Sequence, residues 1–241
     1  MPAPDQATLL RLLDLQTEDS AILRLEQRRA SLPEAARLAE VRANLAELEA
    51  DLEIATKKND EIVREQNRLE GEIELLDQKI AKEEQRLFSG GVSNPKELGA
   101  LQAEVESLKR KKSGLEDELL EVMEQREQAG ATLTNVRTER DATAAEADSL
   151  GRTVAGLTTD IEAELDDHRA RRETVVPDIP ADLLALYDRI RAARVGVGAA
   201  ILEGGTCQGC HTKIPQREYE RIRAEGGLQR CDNCRRILVI K

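Results

Sequence analysis

All four cysteines of this 241-residue chain fall in one stretch near its end, "CQGCHTKIPQREYERIRAEGGLQRCDNC", residues 207 to 234. They form two pairs, Cys207-x2-Cys210 and Cys231-x2-Cys234, separated by twenty residues. Each pair makes a knuckle whose two sulfurs reach one cation, and two knuckles complete a tetrahedron. The expectation is one structural Zn²⁺ held by Cys207, Cys210, Cys231 and Cys234, because four thiolates satisfy that ion without an open position. Two disulfides are disfavoured in a reducing compartment. Thioredoxin-like exchange needs a single C-x-x-C at a helix start within a βαβ unit. Iron in a rubredoxin-like site matches the ligands but not the aromatic-poor surroundings, and a colourless protein excludes it. Gly209 lies inside the first knuckle, where a tight turn is easier without a side chain. His211 follows a ligand directly and is read as a bystander, and His168 as helix surface.

A closed tetrathiolate leaves no coordination position for a catalytic water. The sequence offers no glycine-rich phosphate loop, nucleophile elbow or acid/base pair elsewhere, so neither an enzyme nor a small-molecule substrate is expected. Around the cysteines cluster Lys213, Arg217, Arg221, Arg223, Arg230, Arg235 and Arg236. Residues 204 to 241 carry a formal +4, against −15 for the first 203 and −11 for the whole. An acidic body with a basic end presents only that end to a polyanion. The cluster is therefore a candidate surface for nucleic acid or for a protein partner. Tetrathiolate zinc contributes −2 and tempers it, and Tyr219 is the one aromatic there for stacking.

What positions this end is helical. Stepping from Leu38 alternately by three and four residues reaches Leu87 through fifteen positions, twelve of them apolar. A second seam from Leu98 to Ile161 has fifteen of nineteen apolar. Sustained heptad seams require partner helices. Between them lies "FSGGVSNPKEL". Gly90 and Gly91 can end the first helix; Asn94 caps the second, with Pro95 at its first position and Glu97 at its third. The reading is an antiparallel hairpin turning near 89–95, with partner numbers summing to about 185 and Asn59 opposite Arg126. A homodimeric coiled coil is its rival. Arms of roughly 70 residues are on the order of 100 Å long. "SLPE", residues 31 to 34, reads as a capping box that breaks the first helix, and residues 6 to 29 then cover the far end of the second arm. Near the turn, Lys109, Arg110 and Lys111 form either a solvated face or a contact site at the tip.

Aromatics are only 1% of the residues and charged residues 34%, a blend of long amphipathic helices rather than one large core. No apolar run is long enough for a membrane span, and the N-terminus lacks a secretory pattern. A cytoplasmic protein with reduced thiols and no membrane association is expected.

The layout resembles the bacterial C4-type zinc-ribbon proteins with an N-terminal coiled-coil hairpin. The resemblance is strongest in "LFSGGVSNPKELGALQAEVESLKRKKSGLEDELLEVME" (87–124), "IPADLLALYDRIRAARVGVGAAILEGGTCQGC" (179–210) and "CDNCRRILVI" (231–240). It implies a mainly α chain: a coiled-coil hairpin over 1–176, a linker with a short helix over 177–203 and a zinc ribbon over 204–241. It also implies a helix around 181 to 193, and a small helix within "IPQREYERIRAE". Arg235 stands where relatives often have glycine. Family members are described as nucleic-acid-binding or regulatory proteins, and some resemble adaptors for flagellar gene expression or secretion that contact a sigma factor or RNA. Two functions follow: an adaptor for macromolecular interactions, with a partner in transcription, flagellar or secretion machinery; or an RNA- or DNA-binding regulator acting through the basic ribbon.

Overall fold

The computed structural model describes residues 4–89 and 94–240. Its elements run α1 (Gln6–Ala30), α2 (Pro33–Phe88), α3 (Pro95–Val175), a 3-10 turn (Val176–Asp178), α4 (Ala181–Ala193), β1 (Ala199–Glu203), β2 (Thr206–Cys207), α5 (Gln216–Glu225), β3 (Gln229–Arg230) and β4 (Ile237–Ile240). They make two compact units, residues 37–149 and residues 1–36 with 150–241. The stretch expected as one hairpin over 1–176 is thus shared between the two.

Residues 37–149 are the facing arms of α2 and α3. All fifteen positions of the first seam are buried or half-buried, as are those of the second except Arg126. Cross-arm ion pairs confirm antiparallel arms. Arg37–Glu146 and Lys79–Glu104 have numbers summing to 183, Lys112–Asp77 to 189 and Lys109–Glu84 to 193. The polar layer differs from expectation: Arg126 donates to Gln66 Oε1 at 2.9 Å, not to Asn59. Its long side chain runs along the seam to the buried amide of Gln66, which also donates to Glu70 at 2.6 Å. Asn94 caps α3 as expected, its Oδ1 accepting from the Lys96 N–H at 3.0 Å. Gly90 and Gly91 lie outside the described residues.

The first helix does break at residues 31–32, but Ser31 is not the cap of α2. Its hydroxyl donates back to the Gln27 carbonyl at 2.8 Å, closing α1, and the Leu32 carbonyl receives Ala35 and Ala36 at the start of α2. Helix α1 then lies along the last turns of α3. Leu25 and Leu32 pack on Ile161 and Leu165, as the sequence indicated for this segment.

The sheet order is β2-β1-β4-β3, with β1 and β4 parallel and the outer pairs antiparallel. Successive strand residues face opposite ways, and this chain uses the alternation to build two cores. Ala199, Ile237 and Val239 join Leu9, Leu12 and Leu15 of α1 and Leu183, Tyr187 and Ile190 of α4. Ala200, Leu202 and Leu238 face Ile222 and three of the cysteines. The sheet begins at Ala199, before the expected ribbon start at 204. Among the described residues no helix is long and apolar enough to cross a membrane.

Candidate metal centre and its surroundings

The two knuckles repeat one backbone pattern. The Cys207 N–H donates to the Thr212 carbonyl at 3.1 Å and the Cys231 N–H to that of Arg236 at 2.9 Å. Four residues after each first cysteine the chain folds back: His211 N–H reaches Cys207 O at 2.7 Å and Arg235 N–H reaches Cys231 O at 2.8 Å. Both residues take left-handed backbone, with φ of 56° and 62°. This is why glycine suits the position after the second knuckle; an L-residue there costs about 1–2 kcal/mol. His211 is exposed and bends the first knuckle. At Gly209 a Cβ would stand 2.8 Å from both Ala200 Cβ and Arg236 Cδ, so there is no room for a side chain.

These turns bring the four Sγ atoms within 4.8 Å of one another. Cys207 and Cys234 sulfurs are 3.9 Å apart, and those of Cys210 and Cys231 3.8 Å. A tetrahedron with Zn–S of about 2.3 Å has sulfur–sulfur edges of about 3.8 Å, so the donor set fits Zn²⁺. Cys207, Cys210, Cys231 and Cys234 would hold the ion, which cross-links the knuckles and fills all four positions with thiolate. Burial pushes the Cys207 thiol up to about 12 and also raises Cys231. Burial acts the same way on Cys210, but hydrogen bonds from Thr212 and Asn233 outweigh it and bring that thiol down to about 6.

The basic residues around the ribbon do different jobs. Arg236 is structural: its guanidinium donates to the carbonyls of Val197 at 3.0 Å, Gly209 at 2.6 Å and Arg194 at 3.1 Å. Arg221 is paired with Glu218 and with Glu225, Arg230 donates to the Arg235 carbonyl at 3.1 Å, and Arg235 stands 4.0 Å from Asp232. Arg223 lies over the Tyr219 ring, 5.8 Å from its centre. Lys213 and Arg217 are exposed and in no ion pair among the described residues. In the hairpin, Lys109 is paired with Glu84 at 2.6 Å, whereas Arg110 and Lys111 are exposed and make no such pair among the described residues.

Sequence reading missed a buried polar cluster on the other face of the sheet. Asp19, 1% exposed, accepts from Arg172 Nε at 2.8 Å and from the Tyr187 hydroxyl at 2.7 Å, and lies 2.8 Å from an Arg191 guanidinium nitrogen. It thereby ties α1 to α3 and α4. Tyr187 is raised above the usual tyrosine range, first by burial and then by its bond to Asp19. One turn earlier, Gln16 accepts from the N–H groups of Gly198 and Ala199 at 2.6 and 3.2 Å and donates to the Gly196 carbonyl at 3.0 Å. His168, far from being free surface, sits 2.6 Å from Glu18 in the α1–α3 contact.

A CT398-like coiled-coil hairpin domain matches residues 15–195 and a C4-type zinc ribbon domain residues 206–238. The chain is 32% identical over 233 residues to the uncharacterized protein Rv2229c of Mycobacterium tuberculosis, covering 95% of this chain and 93% of that one. A solved structure from Mycobacterium smegmatis superposes with a TM-score of 0.83 at 26% identity, covering 99% of this chain and all of the other. CT398 of Chlamydia trachomatis shares the fold, with a TM-score of 0.69 at 19% identity and 98% of each chain covered.

Proposed function

The chain belongs to the CT398-like coiled-coil hairpin family, and from that premise we propose that it is a non-enzymatic cytoplasmic adaptor whose zinc ribbon docks a macromolecular partner. The observation that carries this reading is the closed donor set: four sulfurs at tetrahedral spacing leave a bound zinc no position for substrate or water. The metal's work is then to fix a small surface that its own short strands, two of them only two residues long, would hold weakly. The hairpin supplies a second surface at Arg110 and Lys111, which are exposed and make no ion pair among the described residues. Protein partners are favoured over polyanions because several ribbon cations are already engaged, Arg236 by backbone and Arg221 by two glutamates.

One observation keeps a second reading, nucleic-acid binding. Arg217, Tyr219 and Arg223 share α5, with the Arg223 guanidinium already placed over the tyrosine ring, a combination suited to phosphate contact and base stacking. A salt titration of zinc-loaded protein with mixed RNA and DNA fragments separates the two. The adaptor reading expects weak affinity that Arg217→Glu with Arg223→Glu barely changes. A steep salt dependence abolished by the same pair of changes assigns the ribbon to phosphate instead.

A further inference from the structure

A groove of about 790 Å³ opens between α1 and residues 197–201 at the start of β1, within the unit that contains the ribbon. One wall is a face of α1 that includes Leu10, Leu13, Thr17 and Arg24; Val197 and Ile201 stand opposite. Leu10 is 37% exposed there, although Leu9, Leu12 and Leu15 beside it are buried. The charges along the groove are unequal. Asp14, at the Leu10 end, shares Arg11 at 3.2 Å with Asp178 at 3.4 Å. Arg24, and Arg28 one turn further, are exposed and make no ion pair among the described residues. The groove is therefore an apolar channel ending in an unneutralised cation.

The backbone beside it decides what form an occupant takes. Gln16 already engages Gly196, Gly198 and Ala199, and the Ile201 carbonyl already accepts the Gln208 N–H at 2.9 Å. An added strand needs a row of open main-chain groups; β1 already lies between β2 and β4, and Gln16 and Gln208 take further groups at its start. A helix brings its hydrogen bonds with it. From Leu10 to Arg24 the wall runs ~21 Å at ~1.5 Å per residue, about four helical turns.

We propose that this groove is the docking site for an amphipathic helix of a protein partner, apolar on one face and carrying a carboxylate that meets Arg24. The proposal rests on the adaptor reading and gives it a place on the molecule distinct from α5. The test uses the full zinc-loaded chain with photoreactive p-benzoylphenylalanine in place of Thr17, irradiated in cells, and the cross-linked peptide sequenced. The expected adduct is one peptide with apolar residues at helical spacing and an Asp or Glu near one end. Its yield should fall about ten-fold or more with Arg24→Glu, a charge reversal at an interface end, and with Leu10→Glu. Both changes are at exposed positions, so folding is checked by circular dichroism. No peptide adduct, an adduct to a second copy of this chain, or a yield indifferent to Arg24→Glu overturns the assignment. If a partner still co-purifies with the Arg24→Glu chain, the groove assignment fails while the adaptor reading stands. If no protein co-purifies with the unaltered chain, both fail.

Discussion

Replacing Asp19 by alanine removes a carboxylate that is 1% exposed and that faces two guanidinium groups and a phenol. Arg172 and Arg191 would then keep only the half-exposed Asp188, 3.7 Å from each, as a shared counter-charge, and the Tyr187 hydroxyl would lose its acceptor. Removing one member of a buried pair costs roughly 3–5 kcal/mol. The arginine side chains are 27% and 33% exposed and can turn partly to water, which places the cost near the lower end, at about 3 kcal/mol. Tyr187→Phe leaves Asp19 both arginines and removes one charge-assisted bond, about 1.5 kcal/mol. The double variant should fall short of the sum, because both changes act on one cluster. Tyr187 and Tyr219 are the only tyrosines and there is no tryptophan. Tyrosine fluorescence during urea unfolding therefore reports on the unit that holds α1, α4 and the ribbon. With a slope of about 2 kcal/mol per M, Asp19→Ala should lower the midpoint by about 1.5 M. A shift below about 0.3 M would refute the claim that this cluster pins α1 to α3 and α4.

Four further outcomes follow from the same geometry. Metal analysis should find about one zinc per chain; strong chelation should melt the ribbon core, seen in the tyrosine signal, while helical circular dichroism from residues 37–149 persists. A red iron-containing protein or a metal-free native ribbon would contradict this. Gly198→Ala should destabilise by about 1–3 kcal/mol, since its Cβ would stand 2.7 Å from a Tyr187 ring carbon and 2.8 Å from the Tyr187 carbonyl oxygen; urea midpoints test it. Burial raises Glu18, but hydrogen bonds from His168 and Arg171 hold it below its ordinary 4.5. A depressed carboxylate gives stability that is present above its unfolded pKa and lost as pH falls, so Glu18→Gln should flatten the acid limb below pH 4.5. Tyr187 works the other way: raised from 10.0, it favours folding below that pH and loses its contribution above it, and Tyr187→Phe should flatten the alkaline limb.

The seams, the cap at Asn94 and the cluster of four cysteines were legible because each rests on local spacing: a heptad repeat, an Asn-Pro start, two C-x-x-C knuckles. The family resemblance placed α4 and the helix between the knuckles. Gln16 and Asp19 were not legible. Within α1 they look like solvated polar residues, and apart from Ser20, which Gln16 reaches within the helix, their partners lie more than 150 positions away, where no periodicity links them. β1 escaped notice because "AAILE" is a short apolar run whose strand character depends on β4 beside it. Ser31 matched a capping pattern by residue type, yet its hydroxyl had a nearer acceptor in the turn just completed. The basic ribbon shows the limit of counting charge: three backbone carbonyls hold Arg236 and two glutamates hold Arg221, which composition could not reveal.

The central claim, that this is an adaptor for a protein partner, is tested most directly by purifying the zinc-loaded full chain from its own cells with and without nuclease treatment. The expected result is a discrete protein partner that remains after nuclease, survives Arg217→Glu with Arg223→Glu, and is released when the metal is stripped. A partner lost to nuclease alone, or binding unaffected by metal removal, would contradict it.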